Sequence, residues 1–256
     1  MATANAPRTA RERVRAELTR EIKEAARCQL AAVGADGLSL RAVSRELGMA
    51  SSALYRYYPS RDELLTALII DAYEAIGEAA ETAIAGSRTA GGPGAPGAGA
   101  GRARWVAACH AIRGWALGHP HEYALIYGSP VPGYRAPEAT IGPAARVALA
   151  FAGLLSDAVA AGEVAADAER GTVGPLAGVL ADQAAVLSAA LAAAPDVLVP
   201  PGVLVRAVIA WTQLFGMISF ELFGQFAGSF DPADALFAHA VSCLAAFVGF
   251  ERQAPV

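Results

Sequence analysis

The chain has 256 residues, 55% of them hydrophobic, a formal net charge of −4 and a mean hydropathy of +0.38. That length holds one large domain or two modest ones, and that apolarity excludes a largely disordered chain. The longest apolar stretches free of charge, 207–220 and 235–250, fall short of the roughly 20 residues that span a bilayer, and the first residues carry no apolar run, so a soluble cytoplasmic protein without signal peptide or membrane partner is expected.

In chain order, Val14, Leu18, Ile22, Ala26, Leu30 and Val33 recur at three- and four-residue spacing and predict a helix over 10–33, stopped by Gly34 and Gly37. Ser39 is the expected N-cap of a short helix over 40–47 with Leu40, Val43 and Leu47 on one stripe. Gly48 breaks it, and a third helix is expected over 51–58. Ser60-Arg-Asp-Glu63 reads as a capping box that opens a long helix to about residue 84. Residues 87–101, rich in Gly, Ala and Pro, read as a flexible loop. The Gly92, Gly94, Gly97 pattern inside it is rejected as a dinucleotide site, because no strand precedes it and prolines interrupt it. Further helices are expected over 102–118, from Pro120, and over 138–161, 172–193 and 201–226. A last one ends near 249, capped by Asp231-Pro-Ala-Asp234. No segment alternates with a period of two, so the expected fold class is all-α.

Charge is unevenly divided. Residues 1–62 hold 11 basic against 7 acidic side chains, a balance of +4, whereas the remainder carries −8. A basic head on an acidic body orients the head toward a polyanion. Residues 40–58, helix, Gly-containing turn and helix, have the spacing of a helix-turn-helix. If Leu40, Val43, Leu47, Leu54 and Tyr58 close a core, then Ser51, Ser52, Tyr55, Arg56 and Tyr57 face outward, with Arg61 just beyond.

The run from Leu40 to Leu65, above all Leu54-Tyr55-x-Tyr57-Tyr58-x-x-Arg61-x-x-Leu64, resembles the DNA-binding domain of the TetR family of bacterial transcriptional regulators. The more common pattern has His at 57, Phe at 58 and Lys at 61; the replacements keep aromatic, aromatic and cationic character. The resemblance implies that Ser39, Tyr57 and Arg61 hold phosphates, and that Arg41, Ser51, Ser52, Ala53 and Tyr55 lie at or near the major groove. Arg41 is then the candidate reader of guanine. The run from Trp211 to Gly224 resembles the TetR-type ligand-binding domain with a Trp-His-Gly signature, of which only Trp211 is kept. The implied division is a DNA-binding domain over 1–62 and a helical ligand-binding and dimerisation domain over 63–256. The implied partners are double-stranded DNA with a near-palindromic operator, a small-molecule effector and a second copy of the chain. The implied action is that of a repressor released by its effector.

Apolarity around the whole of residues 203–223, broken only by Arg206 and Glu221, independently points to a homodimer built on 203–226 and 233–250. Trp105, His110, Trp115, His119, His121, Tyr123, Tyr127 and Trp211 form the candidate ligand pocket, since a pocket needs apolar walls and a few polar groups. No CxxC pair, i, i+4 His pair, GxSxG elbow or phosphate loop is present, and Lys23 is the only lysine. No cofactor, metal or catalytic residue is therefore expected. The alternative reading is an α-helical enzyme or small-molecule carrier whose N-terminal helices only look like a DNA reader.

Overall fold

A computed structural model of the chain describes residues 9–89, 99–164, 178–191 and 197–250. Ten α-helices and no β-strand occur among them. The chain packs as two compact units, Met1–Tyr73 with His119–Ile141, and Glu74–Gly118 with Gly142–Val256. The break falls inside a long helix rather than at residue 62, because side-chain packing, not linear order, groups residues.

The first unit contains α1 (Ala10–Val33), α2 (Leu40–Glu46), α3 (Ser51–Leu54), the start of α4 (Arg61–Thr89) and α6 (Pro120–Tyr127). Thr9 opens α1 through a complete capping box with Glu12, a signal present in the sequence as Thr-x-x-Glu. One face of α1 supplies Ile22, Ala26 and Leu30 to a closed core with Val43 of α2, Leu54 of α3 and Leu64, Leu65 and Leu68 of α4. Val14 and Val33, expected on that stripe, lie exposed at the two ends of α1.

The second unit contains the rest of α4, α5 (Ala100–Gly118), α7 (Ile141–Ala160), α8 (Gly178–Leu191), α9 (Pro201–Leu222) and α10 (Asp234–Val248). Helix α9 packs on α5, α8 and α10. Two helical segments, Glu138–Ala160 and Pro201–Leu222, reach the length and apolarity of a membrane span. Each holds an arginine engaged by the protein. Arg146 pairs with Glu81, and the fully buried Arg206 donates from Nε to the Val248 carbonyl at 2.9 Å.

Several local expectations are corrected. Helix α3 ends at Leu54, not at residue 58. Beyond it the bonds tighten to Arg56 N–H to Ala53 O (3.2 Å) and Tyr57 N–H to Leu54 O (2.8 Å). A last turn persists, with Tyr58 N–H donating to Leu54 O at 3.1 Å, and Pro59 disfavours helical backbone beyond it at Tyr58. The segment from 138 begins as a 3₁₀ turn, Glu138–Thr140, before α7. Neither Ser39 nor the Asp231–Asp234 run makes a side-chain cap. Asp234 pairs with Arg113 instead. Most of the 87–101 loop and the expected start of α8 at 172 lie outside the described residues.

Candidate nucleic-acid interface and ligand cavity

The helix-turn-helix is built by a left-handed glycine. Gly48 adopts φ +64°, which favours glycine because a Cβ there is strained. The chain therefore turns sharply after α2, with Leu47 N–H donating to Val43 O, Gly48 N–H to Arg45 O and Met49 N–H to Ser44 O (2.8 Å). Ser44 and Ser51 hydroxyls meet at 3.0 Å and tie the middle of α2 to the first residue of α3. With Val43 and Leu54 fully buried, the opposite faces are forced outward. Arg41, Ser51, Ser52, Tyr55 and Arg56 are exposed, and Ala53 and Tyr57 are half-buried. A tyrosine 43% exposed beside two serines and two arginines gains little from folding, and its place suits phosphates and base edges.

The flanking residues differ from expectation in one respect. Arg61 turns its guanidinium onto the protein: Nε donates to Leu38 O at 3.2 Å and Nη2 to Ala35 O at 2.7 Å, with Asp62 at 3.6 Å. It holds the α1–α2 connection and so positions α2. Ser39 N–H donates to Gln29 Oε1 at 3.2 Å, while the Ser39 side chain takes no part in capping. Tyr57 lies under Arg15 of α1, whose guanidinium carbon is 5.8 Å from the ring centroid. The pair was not legible in the sequence, because Arg15 and Tyr57 lie 42 residues apart.

A second feature that the sequence did not announce is an ion cluster. Lys23 and Arg27 of α1 both reach Asp71 of α4, at 2.7 and 2.9 Å, and Arg27 Nε reaches Glu122 of α6 at 2.9 Å. Lys23 and Arg27 are one helical turn apart, which is visible in sequence; their acidic partners come from distant helices.

The second unit holds a cavity of about 350 Å³ whose lining residues are all apolar, contributed by α5, α7, α8 and α9. Of the expected pocket residues, Trp105 and Trp211 are on its walls. The other named residues are not. His110 is exposed, edge-on to Phe237 at 5.3 Å; Trp115 is half-buried on α5. His119 is the N-cap of α6 and His121 is exposed on it. Tyr123 and Tyr127 meet at a tilt of 42° with centroids 5.2 Å apart, and Tyr127 meets Tyr73 edge-on at 6.1 Å, all within the first unit. Burial raises the Tyr127 phenol pKa well above its ordinary value, with the Tyr73 and Tyr123 phenols adding to the shift. The aromatic stretch was read as one cluster, but the division between units falls within it, between Gly118 and His119. The walls that sequence reasoning missed, such as Phe151, Leu155 and Leu204, are aliphatic or aromatic residues with no signal separating them from core.

Elsewhere in this unit Arg113 makes a bidentate pair with Glu221 (2.7 and 2.6 Å), a bond to Asp234 (3.0 Å), and lies 5.0 Å above the Phe237 ring. It thereby joins α5 to α9 and α10 and holds the Asp234 carboxyl below its usual range. Burial pushes the Cys109 thiol well up, while Cys28 and Cys243 are exposed. Among the described residues no group of three or more His, Cys, Asp or Glu side chains is placed to hold a metal ion.

Comparison with known proteins gives a consistent result. Residues 22–68 match the family of bacterial regulatory proteins, tetR family, and residues 105–244 match the tetracyclin repressor-like C-terminal domain. HTH-type transcriptional regulators of Mycobacterium bovis and Mycobacterium tuberculosis are each 39% identical over 231 residues, 86% of this chain and 85% of theirs. The crystal structure of a candidate regulatory protein is 36% identical with a TM-score of 0.67, covering 92% of this chain and 98% of that one. A tetR-family regulatory protein from Rhodococcus RHA1, 14% identical, shares the fold with a TM-score of 0.53 over 91% of this chain and 98% of its own.

Proposed function

The chain belongs to the tetR family of bacterial regulatory proteins and is a transcriptional regulator with a helix-turn-helix DNA-binding domain; from that premise we propose that it is a repressor which a small molecule releases from its operator. The observation that carries the DNA half is the outward face of α2 and α3. Arg41, Ser51, Ser52, Ala53 and Tyr55 form the groove-facing set, and Ser39 and Tyr57 hold phosphates beside them. Arg61 contributes by fixing the α1–α2 connection, and Arg15 stands where it can share a phosphate with Tyr57. Serine and alanine at the start of α3 offer weak polar and methyl contacts, which leaves Arg41 as the residue able to read a guanine bidentately.

A second copy of the chain pairs through the second unit. Large apolar side chains remain exposed on α9 at Ile209 and Phe220, just past it at Phe223, and on α8 at Val179, Leu180 and Val186. Apolar surface in such density is characteristic of an interface. These residues favour an interface on α8 and α9 over one that includes α10. Two-fold pairing implies a near-palindromic operator with half-sites a helical turn, roughly 34–36 Å, or a multiple of it apart.

The effector half rests on the apolar cavity. The α4 helix supplies residues to both units, so it is the element through which occupancy would change DNA affinity. Coupling must be reciprocal: an effector that weakens DNA binding binds more weakly to the DNA-bound protein. The test is to map bound DNA in the source organism, then to titrate the recovered operator by fluorescence anisotropy with and without apolar compounds. Specific, salt-dependent binding that a cavity ligand weakens is expected. Operator affinity insensitive to every compound shown to bind would leave a DNA binder without effector control.

A further inference from the structure

The walls of the cavity define what it accepts. Three aromatic rings line one side in an edge-to-face chain: Trp105 to Phe151 at 4.8 Å and 67°, and Phe151 to Trp211 at 6.2 Å and 83°. Leu187 and Val208, 41% and 45% exposed, make the rim apolar as well. No charged side chain lines it, and the arginines of this unit among the described residues are engaged elsewhere: Arg102 with Ser242, Arg104 with Asp157, Arg113 with Glu221 and Asp234, Arg146 with Glu81, Arg206 with the Val248 carbonyl. A carboxylate or phosphate entering this space loses its hydration and meets no cation among the described residues, which is strongly unfavourable.

One polar atom breaks the apolar pattern. Trp105 is 2% exposed, and its Nε1–H has no acceptor among the described residues. Buried indole N–H groups ordinarily find a partner, and one left without is destabilising. Trp105 belongs to the wall, but its Nε1–H is closed off from the cavity by the packing of the ring on Phe151 and Phe250, so the N–H meets an occupant only when the indole turns.

Resting on the reading of this cavity as the effector site, we propose that the effector is an uncharged, flat, mainly hydrocarbon molecule carrying a hydrogen-bond acceptor, and that Trp105 Nε1–H reads that acceptor. The aromatic chain supplies faces and edges for a flat ring system, and the indole N–H supplies orientation and selectivity in a site that otherwise grips only by shape. Selectivity follows because a ligand without an acceptor leaves the donor as it was, whereas one with an acceptor satisfies it.

The experiment uses the full-length protein with ¹⁵N-labelled indoles and three probes of similar shape: 2-acetylnaphthalene, 2-isopropylnaphthalene and 2-naphthoate. Affinities are read by tryptophan fluorescence, and the Trp105 indole resonance is assigned with Trp105→Phe. The ketone is expected to bind about tenfold tighter than the hydrocarbon, the size of one net hydrogen bond. It alone should move the Trp105 indole proton downfield, and naphthoate should bind at least about tenfold more weakly than the hydrocarbon. Trp105→Phe should erase the preference for ketone over hydrocarbon while still binding both; if that variant does not fold, Trp115→Phe and Trp211→Phe assign the other two indoles, and the wild-type affinities and the Trp105 indole shift decide. Equal binding of ketone and hydrocarbon with an unmoved indole proton overturns the role of Trp105 and leaves the effector site standing. Naphthoate binding as tightly as the ketone overturns the uncharged class. Failure of all three probes to bind overturns the effector-site reading together with this inference.

Discussion

In the unit built on α1, α2 and α3, the inward residues Ile22, Val43, Leu54 and Leu64 are fully buried and the outward face is serine, arginine and tyrosine. In the unit built on α5 and α7–α10, apolar side chains outnumber the places available for them. Some line a cavity, and others, such as Val186 at 71% and Phe220 at 54%, face outward. The first unit is complete in its core and unfinished only in its polar face, which suits a polyanionic partner. The second is unfinished in its apolar surface, which suits apolar partners: a small molecule inside and a second copy outside.

Four measurements break or sharpen this contrast. The largest effect is expected in the closed core: Leu64→Ala should cost about 2–5 kcal/mol of unfolding free energy, against a change within about 0.5 kcal/mol for Leu149→Ala, an exposed α7 residue outside the proposed interface, both read by chemical denaturation. Equal costs would mean that the two units do not differ in closure. Next, Phe220→Asp should convert dimers to folded monomers at micromolar concentration in sedimentation, with helical content by circular dichroism unchanged. A wild-type protein that sediments as a monomer contradicts the outward apolar face as an interface.

Third come two arginines of the DNA-reading unit. Arg61→Ala removes hydrogen bonds to two carbonyls and should lower stability by about 1–3 kcal/mol. The slope of operator affinity against salt should stay unchanged. A slope reduced by about one would instead identify a phosphate contact. Arg41→Ala should do the reverse, leaving stability unchanged and costing about 1–3 kcal/mol of binding at a single base pair, resolved with operator variants. The smallest effect concerns the thiols. Iodoacetamide should label Cys28 in the native protein and Cys109 only after unfolding. Burial raises the Cys109 pKa, so the folded state keeps a proton that the unfolded state releases. Stability contributed by this group is therefore lost as pH rises above the unfolded thiol value of about 8.5, and Cys109→Ala should flatten that loss.

Much of the DNA-reading unit was legible in the sequence because its information is local. The periodicity of α1, with a helix observed at the expected bounds, Gly48 at the turn and the Leu54–Leu64 signature each depend on residues within one or two turns of each other. The apolar cavity was legible only in Trp105 and Trp211. An aliphatic wall and an aliphatic core carry the same letters, and His119, Tyr123 and Tyr127, close to Trp105 in sequence, fold into the other unit. The expected break at residue 62 placed the whole of α4 in the body, although its first half closes the core around Leu54.

The sequence by itself determined the all-α class, the helix-turn-helix and its outward polar face, because helix period, glycine turns and capping act over a few residues at a time. Only the tertiary structure decided that Arg61 binds carbonyls of the protein, that Arg27 is held between Asp71 and Glu122, and that the cavity is lined by apolar residues, one of which, Trp105, has a buried indole N–H without an acceptor among the described residues. Those facts depend on which distant segments meet. A guanidinium or an indole reads the same in a sequence whether its partner is a phosphate, a backbone carbonyl or nothing at all.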